Sequence, residues 1–213
     1  MSSEWSIRKS RSIALLREQN IPYIEHLPEI ESEEEAVLRN SEEIVERIRC
    51  LFSVFLAVNR NDHPHARAIV EKHKLKSRLS RREQGILTFD LLTEADLADL
   101  SWGCESLVAL GWSLGAIDVM PPPTNGIGPD YLALGWSLIS EDSWSGTTLR
   151  PLSDILDQRD LYYRYHWAVR DSWLKERPAP AGLIAGVVAE RHRAFNWLTS
   201  DEWDDWDKVT TDT

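Results

Sequence analysis

Glu105, His166, Arg170, Glu190, Arg191 and His192 are the residues of this chain whose types and spacing could do chemistry. Arg191 falls in the middle of an apolar helical stripe formed by Ile184, Val187, Val188, Ala194, Phe195 and Leu198. An arginine cannot be deprotonated inside a protein, so it needs a carboxylate or carbonyls there. Glu105 is the one charge in the apolar run 100–117 and needs a counter-ion of its own. Arg191 is its expected partner, and Arg170 competes for it. Two readings follow. In the structural one, a buried ion pair fixes the register of the helices. In the functional one, all six converge on a polar pocket. There a carboxylate and a histidine would run general acid–base chemistry, or bind a small anion, with the arginines holding negative charge.

Two helices must position these groups, over 160–175 and 184–198. On the first, Asp160–Arg164 and Asp171–Lys175 are acid-before-base pairs at i,i+4, which predicts a solvent face. Leu161, Tyr162, Tyr165, Val169 and Trp173 form its expected buried side, with Tyr163, His166 and Arg170 on the flank. On the second, Glu190 and Trp197 share one flank, His192 takes the other and Arg193 points outward. Upstream, 100–114 is apolar nearly all round, so it belongs at the centre of the domain.

The rest of the chain reads as helices with marked starts. Trp5 to Glu18 is amphipathic and basic. The stretch 21–28 is bracketed by two prolines and reads as extended or loop. Capping-box spacing at Ser32–Glu35, Ser80–Glu83 and Thr93–Asp96 announces helix starts, and Asn40 opens a longer core helix through Ile44, Ile48, Phe52 and Phe55. Residues 64–75 are helical, while 121–129 and 140–148 are loops. The hexapeptide ALGWSL occurs at 109–114 and again at 133–138, too few copies for a solenoid. Trp136 and Trp144 are expected in exposed loops. The acidic tail 200–213 carries Trp203 and Trp206, which either dock on the body or float with the aspartates. No convincing strand is present. The expected fold is mainly α: one domain over 1–213, an irregular helical bundle around a central apolar helix at about 100–115, with long loops. Residues 1–30 form an N-terminal helix and an extended segment.

Composition narrows the function classes. With 24 Lys+Arg against 35 Asp+Glu in 213 residues the net charge is −11, which argues against nucleic acid and allows a basic partner. No apolar segment is built to span a membrane, and the N-terminus has no signal core. Cys50 and Cys104 read as reduced core thiols. His63, His65 and His73 match no zinc spacing, and the tail aspartates lack the glycine and distal glutamate of a calcium loop, so no metal is expected. No nucleophile elbow, Cys-x-x-Cys, P-loop or dinucleotide fingerprint occurs, and no cofactor is expected.

Several blocks carry a resemblance. ILDQRDLYYRYHWAVRD at 155–171, GVVAERHRAFNWL at 186–198 and WDKVTTDT at 206–213 resemble the bacterial family called domain of unknown function 4272. RKSRSIALL at 8–16, LPEI at 27–30, LSRRE at 79–83 and the block from WGCE at 102–105 to Trp112 fit it as well. The chain departs from the pattern at Lys208, where a second aspartate is expected. The resemblance implies a bacterial, mainly cytosolic single-domain protein and no particular activity. The leading expectation is a non-catalytic cytoplasmic binding protein, of an immunity or sequestration type, with a protein partner of basic surface. The alternative is an enzyme or small-anion binder using the Glu/His/Arg cluster.

Overall fold

A computed structural model describes residues 4–88, 92–140 and 148–213. Trp144 and most of the expected loop 140–148 lie outside the described residues. The chain is mainly α, with no strand among the described residues. Helix α1 spans Glu4–Glu18, α2 Ser41–Asn59, α3 His63–Lys72 and α4 Arg81–Thr88. Then come α5 at Glu94–Trp102, α6 at Ser106–Ser113, α7 at Pro129–Ser140, α8 at Leu152–Leu174 and α9 at Ala185–Leu198.

Helix starts follow local chemistry. Asn40 accepts from the Glu43 amide while the Glu43 side chain accepts from the Asn40 amide, a reciprocal cap for α2. Thr93 and Asp96 do the same for α5, and Ser80 with Glu83 for α4. Ser32 and Glu35 make only half of this cap: the Ser32 amide and hydroxyl both donate to Glu35 Oε2, the Glu35 amide bonds the Ser32 backbone carbonyl instead, and the chain there makes only a turn. The backbone then leaves to bond Val37 and Arg39 amides to the carbonyls of Thr199 and Leu198, which ends any helix.

The apolar run at 100–115 is not one helix. α5 ends at Trp102, a 3-10 turn covers Gly103–Glu105, and α6 follows. The Gly103 amide reaches back only to Leu100, which tightens the turn. Burial changes at that point: α5 has no buried residue, whereas every residue of α6 is buried. The centre of the bundle is therefore the 3-10 turn and α6, with α2 on one side and α9 on another. α9 lies between α6 and α8, and α8 in turn packs against α1.

The repeated hexapeptide has a packing rationale. Gly111 of the first copy receives the Leu134 side chain of the second, which would stand 2.4 Å from a β-carbon there. Gly135 of the second copy meets the Phe52 ring, whose nearest atom would be 2.3 Å away. The same six residues thus serve two close approaches, α6 to α7 and α7 to α2. Their tryptophans differ: Trp112 is buried, while Trp136 is 42% exposed. Trp136 sits on α7, not in a loop, and packs edge-on against Phe52.

The solvent face expected on α8 is a correction. Asp160 and Arg164 are each 1% exposed, and they pair bidentately at 2.8 and 2.7 Å. The N-terminal segment covers them: Arg164 donates to the Pro28 carbonyl, Tyr165 to Gln19, and Arg8 to Asp157. Only Asp171–Lys175, beyond that cover, stays at the surface. For the same reason Trp173, expected inside, is 74% exposed, because α8 overshoots its neighbours. Both tail tryptophans dock. Trp206 is buried against Trp197 with the Arg47 guanidinium 4.8 Å from its ring, and Trp203 is half-buried.

Gly135→Ala should cost about 1–3 kcal/mol, since the methyl displaces the buried Phe52 ring. Urea denaturation should show a lower midpoint at an unchanged slope, and an unaltered midpoint would contradict this packing.

Candidate functional site

Arg191 and Glu105 meet at the heart of the bundle. Arg191 Nη2 donates to Glu105 Oε2 at 3.1 Å, and both side chains are almost fully buried. Arg191 Nη1 donates to the Pro121 carbonyl at 2.9 Å and to the Tyr162 hydroxyl at 3.2 Å. The other Glu105 oxygen accepts from the Ile127 amide at 2.6 Å. The proline-rich loop at 121–129 therefore supplies one acceptor to the arginine and one donor to the glutamate. Burial pushes the Tyr162 phenol up to about 12, against the pull of Arg191, so it stays protonated. Arg170 takes no part in this group. It is exposed and reaches the Thr213 hydroxyl at 3.4 Å.

The remaining candidates close into two further groups. Ser106 donates to Glu190 Oε2 at 3.2 Å, and Arg193 pairs with Glu190 at 2.8 Å. Burial pushes the Glu190 carboxyl up, with Arg193 and Ser106 opposing. Separately, His166 Nδ1 and His192 Nδ1 lie 3.0 Å apart. One ring must donate and the other accept, so the two carry complementary tautomers. Desolvation, then Arg170 and Arg193, lower the His166 pKa to about 4. Desolvation, then His166 and Arg159, hold His192 well below its ordinary range. Both rings are neutral near pH 7.

The structure thus joins Glu105 to Arg191 and His166 to His192. It sets Glu190 with Arg193 and leaves Arg170 on the surface. Of the six, His192 alone lines the cavity beside them, a space of about 570 Å³ that opens to solvent. Arg159, Tyr163 and Asn196 form its inner wall with His192. Trp5 of α1, Trp203 of the tail, Ile30, Thr210 and the acidic residues Glu29, Glu31, Glu35 and Asp212 complete it. Arg159 Nε donates to Asn196 at 3.0 Å, and its Nη1 lies 2.7 Å from Glu31. Asn196 also donates to the Thr210 carbonyl, which ties the tail to the wall. Glu35 Oε2 accepts from the amide and hydroxyl of Ser32, and these bonds lower its pKa, so it is ionised.

None of the cavity carboxylates is among the six candidates, and Glu35 reads in the sequence only as a capping residue. One signal was present: Arg159, Tyr163 and His166 recur at i, i+4, i+7 on α8, and His192 and Asn196 at i, i+4 on α9. A larger cavity, about 740 Å³ between α3 and α4, has mainly apolar walls from Val70, Leu79 and Leu87, and touches none of the candidates. Among the described residues no group of three or more His, Cys, Asp or Glu is placed to hold a metal ion. Cys50 and Cys104 are free and buried, with thiols pushed up to about 12 chiefly by desolvation, so neither is a ready nucleophile.

Fold and site together define a mainly helical protein with internally paired buried charges and an acid- and indole-lined cavity where α1 and the tail meet over α8 and α9. The family model for a domain of unknown function, DUF4272, matches residues 8–209, and the chain belongs to that family. No curated protein and no solved structure matches it.

Removing one partner of the buried pair should be severe. Arg191→Met should lower stability by about 3–5 kcal/mol, by stranding the Glu105 carboxylate. Combining it with Glu105→Gln should recover part of that loss, as a double-mutant cycle by denaturation would show. Strict additivity would contradict the pairing.

The histidine pair predicts acid sensitivity. Below the ordinary value of 6.5 the unfolded chain takes up protons that folded His166, held at about 4, does not. Stability is then complete above pH 6.5 and falls as pH drops toward 4, by up to about 1.4 kcal/mol per pH unit for each histidine. Glu190, with its raised pKa, has the opposite sign near the lower end of that window. The slope between pH 6.5 and 5 should flatten in His192→Gln, and an equal slope in both proteins would contradict the assignment.

Proposed function

We propose that this protein is a non-catalytic binding protein of the bacterial cytosol, and that its partner is a protein with a basic surface. One observation carries the reading: four carboxylates and a single arginine line the cavity, and that arginine is already paired with Glu31. Such a surface attracts positive charge at long range and holds it at contact. The overall charge of −11 acts in the same direction. The free buried thiols suit a reducing compartment, and no helix among the described residues is long and apolar enough to cross a membrane.

An enzyme working through the Glu/His/Arg cluster has less support. The Glu105 carboxylate and the Arg191 guanidinium are spent on each other and on the 121–129 loop. His192, at the cavity wall, is a weak base because desolvation disfavours its cation.

The test is retention of host proteins on the full chain, with cross-linking and mass spectrometry to place the contact. A basic protein should be captured, released as salt rises, and cross-linked to the rim of the cavity. Glu29→Lys and Asp212→Lys should each reduce capture. A metabolite that raises the Tm strongly, with no basic protein retained, would contradict the reading.

A further inference from the structure

We propose that the cavity receives the guanidinium of an arginine side chain of the basic partner, against the indoles of Trp5 and Trp203, with Glu29, Glu35 and Asp212 around it and His192 Nε2 as an acceptor on the inner wall. The inference rests on the binding reading above and names the chemistry that reading requires at this site.

Three features independent of the acidic charge lead to it. First, His192 is 2% exposed and lines the cavity, yet its only hydrogen bond runs through Nδ1 to His166. Its Nε2 therefore has no protein partner. A ring nitrogen that has no protein partner on a residue lining a cavity can take its hydrogen bond from whatever enters. If His192 is the Nδ1–H donor of the pair, its Nε2 is a neutral acceptor. A cationic N–H donor stabilises that tautomer over the other, so the pair adapts to a guanidinium without taking up a proton.

Second, guanidinium on indole is a contact this protein uses repeatedly. Arg39 lies 4.7 Å from the Trp197 ring centre, Arg47 4.8 Å from Trp206 and Arg150 4.6 Å from Trp112. Each of those rings is buried and already has its cation. Trp5 and Trp203 are the indoles on the cavity, both are partly exposed, and no cation of the described chain lies over either. Such a face favours a planar, weakly hydrated cation over an ammonium.

Third, the walls are set before a ligand arrives. Ser32 fixes one oxygen of Glu35, a residue of the cavity lining. Arg39 donates to the Trp203 carbonyl at 2.8 Å, and Asn196 holds the Thr210 carbonyl, which fixes the tail that carries Trp203 and Asp212. Arg159 is neutralised by Glu31, so it adds no net repulsion. A volume near 570 Å³ admits the side chain with part of its own backbone. The many N–H groups of a guanidinium match acceptors spread around the wall, where the compact head of a lysine reaches fewer.

The test is calorimetric titration of the full chain with three capped peptides: glycine–arginine–glycine, the same with uncharged citrulline, and the same with lysine. The arginine peptide should bind about tenfold more tightly than the citrulline one and more tightly than the lysine one. Glu29→Gln and Asp212→Asn, both exposed and unconnected to the core, should each weaken it several-fold at unchanged Tm. Asp130→Asn, exposed on α7, should not. Equal binding of arginine and citrulline peptides, equal binding of arginine and lysine peptides, or no effect of the two cavity variants would overturn the proposal. If the peptides fail while a basic host protein is still retained in a salt-dependent way, the cavity assignment falls and the binding reading stands. If neither binds, both fall.

Discussion

A guanidinium and a carboxylate removed from water each carry a desolvation cost that only close partners offset. The Arg191–Glu105 pair meets that condition with one contact from each of its surroundings. Tyr162 on α8 and the Pro121 carbonyl take one terminal nitrogen of the arginine, whose Nε has no hydrogen-bond partner among the described residues, and the Ile127 amide takes the second oxygen of the glutamate. These contacts join α9, the 3-10 turn before α6, α8 and the loop 121–129 at one point. Residues 121–128 form no helix or strand, and their position follows from these two polar contacts, from the Ile184 amide bonded to Pro123 and from the Tyr162 hydroxyl on Pro121. Were the pair absent, α6 and α9 would still pack, but the loop would keep only the Ile184–Pro123 backbone bond and the contact of the Tyr162 hydroxyl with Pro121 over their junction.

The same logic separates the chain's polar groups into two populations. In the first, every charge has an internal partner: Glu105 with Arg191, Asp160 with Arg164, Glu83 with Arg47, and Glu190 with Arg193. These fix register and leave little for a ligand. The second lines the cavity where α1, the segment after it and the tail come together over α8 and α9. There Glu29, Glu35 and Asp212 face water beside two open indoles, and one ring nitrogen of His192 has no protein partner. The His166–His192 pair stands at the boundary, one ring in each population.

Much of the interior was legible in the sequence, and the reasons are local. A lone glutamate in an apolar run and a lone arginine in an apolar stripe point at each other across 86 positions. Helix starts were legible at Asn40, Ser80 and Thr93 because a cap is a four-residue event. What a distant segment covers was not legible. The pair Asp160–Arg164 has the spacing of a surface pair, and only the placement of residues 19–28 over α8 makes it a buried one. The break at Gly103 was hidden because hydropathy stays high through it while the backbone tightens. The cavity was least legible, since its walls come from α1, the segment 29–35, α8, α9 and the tail, and no single stretch carries its pattern.

The central claim is that buried charges are sealed on one another while the cavity's acceptors stay open to a cation. Chemical-shift mapping of the full chain with the capped arginine peptide tests it most directly. The account predicts that the indole N–H signals of Trp5 and Trp203 and the ring nitrogens of His192 move together on titration, while the Arg191 guanidinium signals stay in place. Shifts centred on Arg191 and Glu105, with Trp5, Trp203 and His192 unmoved, would contradict it.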